Sequence, residues 1–185
     1  MNAKKQIKIH TEGTPNPNAL KFVLDMVLLE NKTANFPYKE KAKNSPLAVR
    51  LFNLDGVTGV FIGKDFITVS KMPDTTWESI YEDILVAIDK HLVSGEPILV
   101  GEEAQDEKPM SDVEKKIIEI LDSKVRPAVA SDGGDIIFDS YEEGILRVHL
   151  QGSCSHCPSS IMTLKAGIES MLKREIPELK EVISV

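Results

Sequence analysis

With 185 residues and 42% hydrophobic side chains, the chain is long enough for one ordinary core or two small ones, and too apolar to stay disordered. Its net charge of −7 is unevenly placed, with 12 basic and 12 acidic side chains in residues 1–101 but 10 and 17 in residues 102–185, which argues against nucleic-acid binding. No apolar run approaches the roughly 20 residues that a membrane-spanning helix requires.

The opening Met1-Asn2-Ala3-Lys4-Lys5-Gln6 leads into a short alternating segment rather than a signal-peptide core, so a soluble, cytoplasmic protein is expected. From Gln6 to Thr11, Ile7 and Ile9 alternate with polar neighbours. Thr14-Pro15-Asn16-Pro17-Asn18 then forces an irregular turn before a second strand over Leu20 to Leu24, which suggests an opening hairpin. Residues 30–44 are polar and show no clear period. Ser45-Pro46 fits a helix start, with Leu47, Arg50 and Leu51 following and an end near Asn53. Val57 to Ile62 and Phe66 to Ser70 read as strands joined by the tight turn Gly63-Lys64-Asp65. Thr75-Thr76-Trp77-Glu78 has the form of a capping box, and Trp77, Ile80, Ile84, Ile88 and Leu92 make one helical stripe. Residues 1–100 thus read as a ββαββα unit.

Residues 101–110 are acidic, poor in apolar side chains and end near Pro109, the composition of a linker. Beyond them, Ser111-Asp112-Val113-Glu114 is a second capping box. Val113, Ile117, Ile120, Leu121 and Val125 follow at helical spacing, and Pro127 is expected to stop that helix. Strands fit Asp135 to Tyr141 and Ile145 to Gln151, a helix fits the stripe Ile161, Leu164, Ile168 and Leu172, and a last strand fits Val182 to Val185. Residues 111–185 therefore read as αββαβ. The fold class expected is α+β, as two small domains with no residue-level repeat between them.

Cys154 and Cys157 are the chain's two cysteines, in the run Gly152-Ser153-Cys154-Ser155-His156-Cys157-Pro158. Two thiols three positions apart can converge on a metal, a cluster or each other, and the N-terminus of a following helix favours the thiolate. Zinc and iron–sulfur clusters normally take four protein ligands, so a metal reading requires further ligands from a second copy, a partner or a small thiol. The glycine and the serines are small and polar, unlike core flanks, and the loop is expected to be exposed. Three other uses of the pair remain open: structural core thiols, a dithiol–disulfide redox couple making the chain a thiol–disulfide oxidoreductase, and a zinc ion bridging two chains. His156 sits on a tight turn that aims its ring away from at least one sulfur, and His149 is expected to face solvent or a partner. Asp132-Gly133-Gly134-Asp135 supplies too few ligands for a calcium motif and reads as a turn feeding the next strand.

The second half resembles the C-terminal domain of the Nfu, or NifU-like, family of iron–sulfur cluster carriers. The matching residues are Arg126-Pro127, Asp132-Gly133-Gly134-Asp135, the cysteine run, Thr163-Leu164-Lys165-Ala166-Gly167-Ile168-Glu169 and Ile176-Pro177-Glu178. The first half is similar to the N-terminal domain of longer Nfu proteins through Thr14-Pro15-Asn16-Pro17-Asn18, Leu20-Lys21-Phe22, Ser45-Pro46-Leu47-Ala48 and Phe66-Ile67-Thr68-Val69-Ser70-Lys71. The resemblance implies a [4Fe–4S] cluster, with [2Fe–2S] as an alternative form, shared by two chains through Cys154 and Cys157 of each. It also implies a non-catalytic role in cluster assembly, with partners that are a second copy of the chain, an upstream cluster scaffold and apo iron–sulfur proteins. It implies neither nucleic acid nor membrane. The first domain is assigned partner contact.

Overall fold

Strand β1 (Ile9–Gly13) pairs antiparallel with β2 (Ala19–Leu24), from Ile9 opposite Leu24 to Gly13 opposite Leu20. The two prolines between them cannot donate to a ladder, so side chains organise the turn. The Thr14 hydroxyl reaches the carbonyls of Asn16 and Ala19, each at 2.9 Å, and the Asn18 N–H donates to Asn16 Oδ1 at 3.0 Å. The computed structural model describes residues 7–101, 109–156 and 158–185, with the backbone alone at 156 and 158–160.

The polar stretch after β2 contains two elements that carry no sequence signal. One is β3 (Ala34–Phe36), too short to show a period, and the other is a 3-10 turn over Lys39–Asn44. Buried Phe36 and Ala42 hold them to the core. Helix α1 (Pro46–Phe52) starts as expected, with Ser45 Oγ accepting the Ala48 N–H at 3.2 Å. Strands β4 (Val57–Ile62) and β5 (Phe66–Lys71) form the second hairpin, and α2 (Trp77–Ser94) follows. The capping box expected at α2 does not form. Thr76 is the N-cap residue but makes no side-chain cap bond, and the Ser79 hydroxyl instead donates to the Thr76 carbonyl at 2.7 Å.

These strands make one antiparallel sheet in the order β1-β2-β5-β4-β3. Phe22, Leu24, Val60, Ile62, Ile67 and Val69 of the sheet share a core with Leu47 and Leu51 of α1 and Ile80, Ile84 and Ile88 of α2. Each fully buried side chain of this size contributes about 2 kcal/mol. At the end of α2, His91 is wholly buried with neither ring nitrogen hydrogen-bonded. Its Nδ1 lies 3.7 Å from Glu96 Oε2, and the same carboxylate receives both bonds of Arg50 Nη2, at 2.9 and 3.0 Å. Burial first, and the Arg50 charge second, push the His91 pKa down, and the nearer carboxylate does not offset them.

The chain divides into two compact units, Met1–Glu103 and Ala104–Val185; most of the expected linker lies outside the described residues. The second unit opens with α3 (Asp112–Ile120), whose capping box is complete: Ser111 Oγ accepts the Glu114 N–H, and Glu114 Oε2 accepts the Ser111 N–H at 2.7 Å. Contrary to expectation, Pro127 does not end the helix. A π turn over Leu121–Val125 precedes it, and the chain continues as α4 (Arg126–Ser131). A proline lacks the N–H that an α-helix would pair four residues back, and one wider turn placed just before it accommodates that loss.

Strand β6 (Gly134–Glu142) pairs antiparallel with β7 (Ile145–Gly152), which pairs parallel with β8 (Glu181–Ser184). Helix α5 (Pro158–Glu175) makes the crossover between β7 and β8. Phe138 lies opposite Val148 and Ser140 opposite Arg147, which leaves Asp139 as the extra residue of a bulge. The second core joins Ile117, Leu121, Val125 and Val129 to Ile136, Leu146, Val148, Ile168, Leu172 and Val182. Among the described residues no helix is long and apolar enough to cross a membrane.

Candidate functional site

The β6–β7 ladder ends at Gly134 opposite Gly152, away from the turn that joins Glu142 to Ile145. Gly152 has φ 68, a left-handed conformation that turns the chain out of the strand at little cost only without a Cβ. A 3-10 turn over Ser153–His156 carries Cys154, and α5, the helix expected from the stripe Ile161, Leu164, Ile168 and Leu172, begins at Pro158.

Ser153 and Ser155 tie this turn to its surroundings. The Ser153 hydroxyl donates to the Asp132 carbonyl, the Ser153 N–H donates to the Gly133 carbonyl at 3.2 Å, and the Ser155 hydroxyl donates to the Gly152 carbonyl at 2.8 Å. Cys154 Sγ lies 3.8 Å from Ser153 Oγ. On its other side is Gly134, where an added Cβ would stand 2.9 Å from that sulfur and 2.6 Å from the Gln151 carbonyl oxygen.

Cys154 is consequently 5% exposed and belongs to the second core. That overturns the expectation of an exposed loop as far as this cysteine is concerned. The flanking serines are polar, but their hydroxyls are satisfied by nearby backbone carbonyls, so the turn can pack inward without leaving polar groups unpaired. Cys157 lies outside the described residues, as does the side chain of His156.

The Asp132–Asp135 segment is the turn into β6 that the sequence suggested, and it also forms the wall against which Cys154 rests. It is braced from α4. Arg126 donates from Nε to Asp135 Oδ1 and from Nη2 to Asp135 Oδ2, both at 2.8 Å, and from Nη1 to Asp122 at 3.0 Å. Asp135 Oδ1 accepts the Ile136 N–H as well, at 2.8 Å. The two-pronged bond to Asp135 is the main cause of a raised Arg126 pKa, so the guanidinium stays charged.

His149 is half-exposed, as expected, with Nδ1 3.0 Å from the Val185 carbonyl oxygen and Nε2 3.1 Å from Asp139 Oδ1. The Ser140 hydroxyl, followed by His149, holds the Asp139 carboxyl below its usual range. Among the described residues no three His, Cys, Asp or Glu side chains are grouped to hold a metal ion. The sequence marks Gly134 and Asp135 as part of a turn and Ser153 as a small polar flank, and it does not show that Arg126 braces this turn or that Ser153 and Gly134 seat the sulfur. The available signal was a paired glycine between two aspartates with an arginine nine residues before the second.

Residues 9–95 match the family described as "Scaffold protein Nfu/NifU N terminal", and residues 117–183 match the "NifU-like domain". The chain belongs to the Nfu/NifU family. Both the N-terminal and the NifU-like domain of the family are thus present, in the order the sequence suggested. One relative is the human protein named "NFU1 iron-sulfur cluster scaffold homolog, mitochondrial", 44% identical over 182 residues, which cover 96% of this chain and 71% of that protein. The Drosophila simulans protein of the same name is 42% identical over 192 residues, covering 98% and 66%. The chain therefore spans about two thirds of the length of these Nfu/NifU relatives. A NifU-like protein from Saccharomyces cerevisiae, solved by solution NMR, superposes with a TM-score of 0.48 at 32% identity, over 55% of this chain and 92% of that one.

Proposed function

We propose that this protein is a carrier rather than a catalyst: it holds an iron–sulfur cluster as cargo between two copies of the chain and passes it to apo-proteins. The observation that carries this reading is a C-x-x-C at the opening of α5 in a chain 44% identical over 96% of its length to a protein named an iron–sulfur cluster scaffold. Cys154 and Cys157 would be the ligands. Two thiolates from each of two chains complete the four that a [4Fe–4S] cluster takes, so loading and pairing should be one event.

Release then proceeds by ligand exchange. An incoming thiolate forms a bond to iron as a cysteine of this chain leaves, one position at a time, with no change in oxidation state. An upstream scaffold would supply the cluster, and the first unit would contact the recipient. We place the protein in a reducing soluble compartment, proposed as the cytoplasm; the relatives named above are mitochondrial by name, and fractionation of source cells decides between the two.

Anaerobic reconstitution, with iron and sulfide analysis and sedimentation, tests the reading. The expected result is a dimer with about one cluster per two chains, lost when either cysteine is replaced by serine. A loaded monomer without added thiols would overturn it, and so would a protein that takes up no iron but cycles between dithiol and disulfide.

A further inference from the structure

On the side of strand β6 the Cys154 sulfur is closely packed: a single carbon added at Gly134 would be 2.9 Å away. With Cys154 only 5% exposed, its sulfur lies out of reach of a cluster shared with a second chain, which is far larger than one carbon. The cluster cannot come to this sulfur. The sulfur must come to the cluster, and whatever keeps it in place controls when that happens.

Resting on the function proposed above, we propose that Ser153 and Gly134 are positioning residues that keep the Cys154 sulfur inside the fold of the metal-free chain and free it on loading, when the 153–156 turn swings outward. Ser153 is the fastener, because both its hydroxyl and its N–H bond to the Asp132–Gly133 backbone. Gly134 is the seat, because only a residue without a Cβ admits the sulfur against the strand. The fork from Arg126 to Asp135 keeps the seat from moving. The arrangement shields one of the two ligands from oxidants and stray metal ions while the chain is empty, and it makes capture depend on a force that opens the turn, such as pairing with a second copy.

The test labels the full-length metal-free protein with N-ethylmaleimide and follows Cys154 and Cys157 separately by peptide mass spectrometry, with the urea-unfolded chain as reference. Cys154 should react about tenfold or more slowly in the folded protein, because labelling waits for a local opening. Ser153→Ala removes only the hydroxyl and should speed Cys154 severalfold without lowering the helical signal, and Ser153→Thr, which keeps a hydroxyl, should restore protection. Measuring at two pH values separates access from ionisation, since a change of access moves both rates by one factor. Gly134→Ala should expose Cys154 further; if crowding against Gln151 prevents that variant from folding, the serine pair still decides the matter. Folded protein that labels Cys154 at the unfolded rate, or a Ser153→Ala rate equal to wild type, overturns the inference. A wild-type chain that protects Cys154 yet takes up no cluster overturns the proposed function instead.

Discussion

The Asp135 side chain is only 5% exposed, and its carboxylate accepts hydrogen bonds from Nε and Nη2 of Arg126 and from the Ile136 N–H. Asp135→Asn keeps its size but turns an amide donor toward a guanidinium, leaving charge and donors opposed. Because Arg126 is about one-third exposed, water screens part of the loss, and a cost of about 2 kcal/mol is expected. Differential scanning calorimetry of the whole protein would show it as a lower transition for the second unit. His91 presents the reverse case, a buried group whose ring nitrogens make no hydrogen bond. The fold prefers its neutral form, so the unfolded chain takes up the proton first as pH falls through the ordinary histidine range. Stability is therefore full above that range and declines below it, toward the depressed folded value. Urea titrations followed by Trp77 fluorescence should show His91→Leu losing less stability than wild type between neutral and mildly acidic pH. Parallel curves for the two would remove His91 as the cause.

At the level of elements, legibility followed the length of the signal. The stripe Ile80, Ile84, Ile88 could be read directly because packing repeats it over several turns, and both hairpins of the first sheet were marked by their turn residues. Strand β3 has three residues and so no period to detect, and its place in the sheet is set by β4 rather than by its own composition. Pro127 misled because a proline normally ends a helix, whereas the preceding π turn absorbs the missing N–H. The two apparent capping boxes looked alike in sequence, and only the one at Ser111 forms. Ser111→Ala should therefore cost about 1 kcal/mol, visible as a lower urea midpoint for the second unit. In α5, Leu172 is fully buried, and Leu172→Ala should cost about 3 kcal/mol through lost burial and the cavity left behind. A loss below about 1 kcal/mol would mean that α5 packs against this core less firmly than described.

For the whole molecule, the presence of two domains was legible from the acidic, apolar-poor stretch and from the amphipathic elements on either side of it. The cysteine pair was legible as the candidate site. The burial of Cys154 was not, since it depends on hydrogen bonds from Ser153 to carbonyls some 21 positions away, a separation that local pattern does not reach. Every residue of the second core lies beyond Ser111, so a fragment starting at Ser111 should melt at the temperature of the second transition of the full chain and acquire the same cluster spectrum on reconstitution. A fragment that fails to fold would show that the first unit completes this core.

The bulge at Asp139 has a consequence for descent. Removing Asp139 would leave Phe138 opposite Val148 and Ser140 opposite Arg147 in an unbroken ladder, with Gly134 still facing Gly152. Losing Ile136 or Ile137 and absorbing the gap at the bulge would instead move Phe138 and Asp139 one place back each, exchanging their faces and setting a carboxylate where Phe138 now packs against the core. Over generations, this hairpin can shorten without injury only at its bulge. Random single-codon deletions across residues 134–152, sorted for folded protein, should leave survivors missing Asp139 and few missing Ile136 or Ile137.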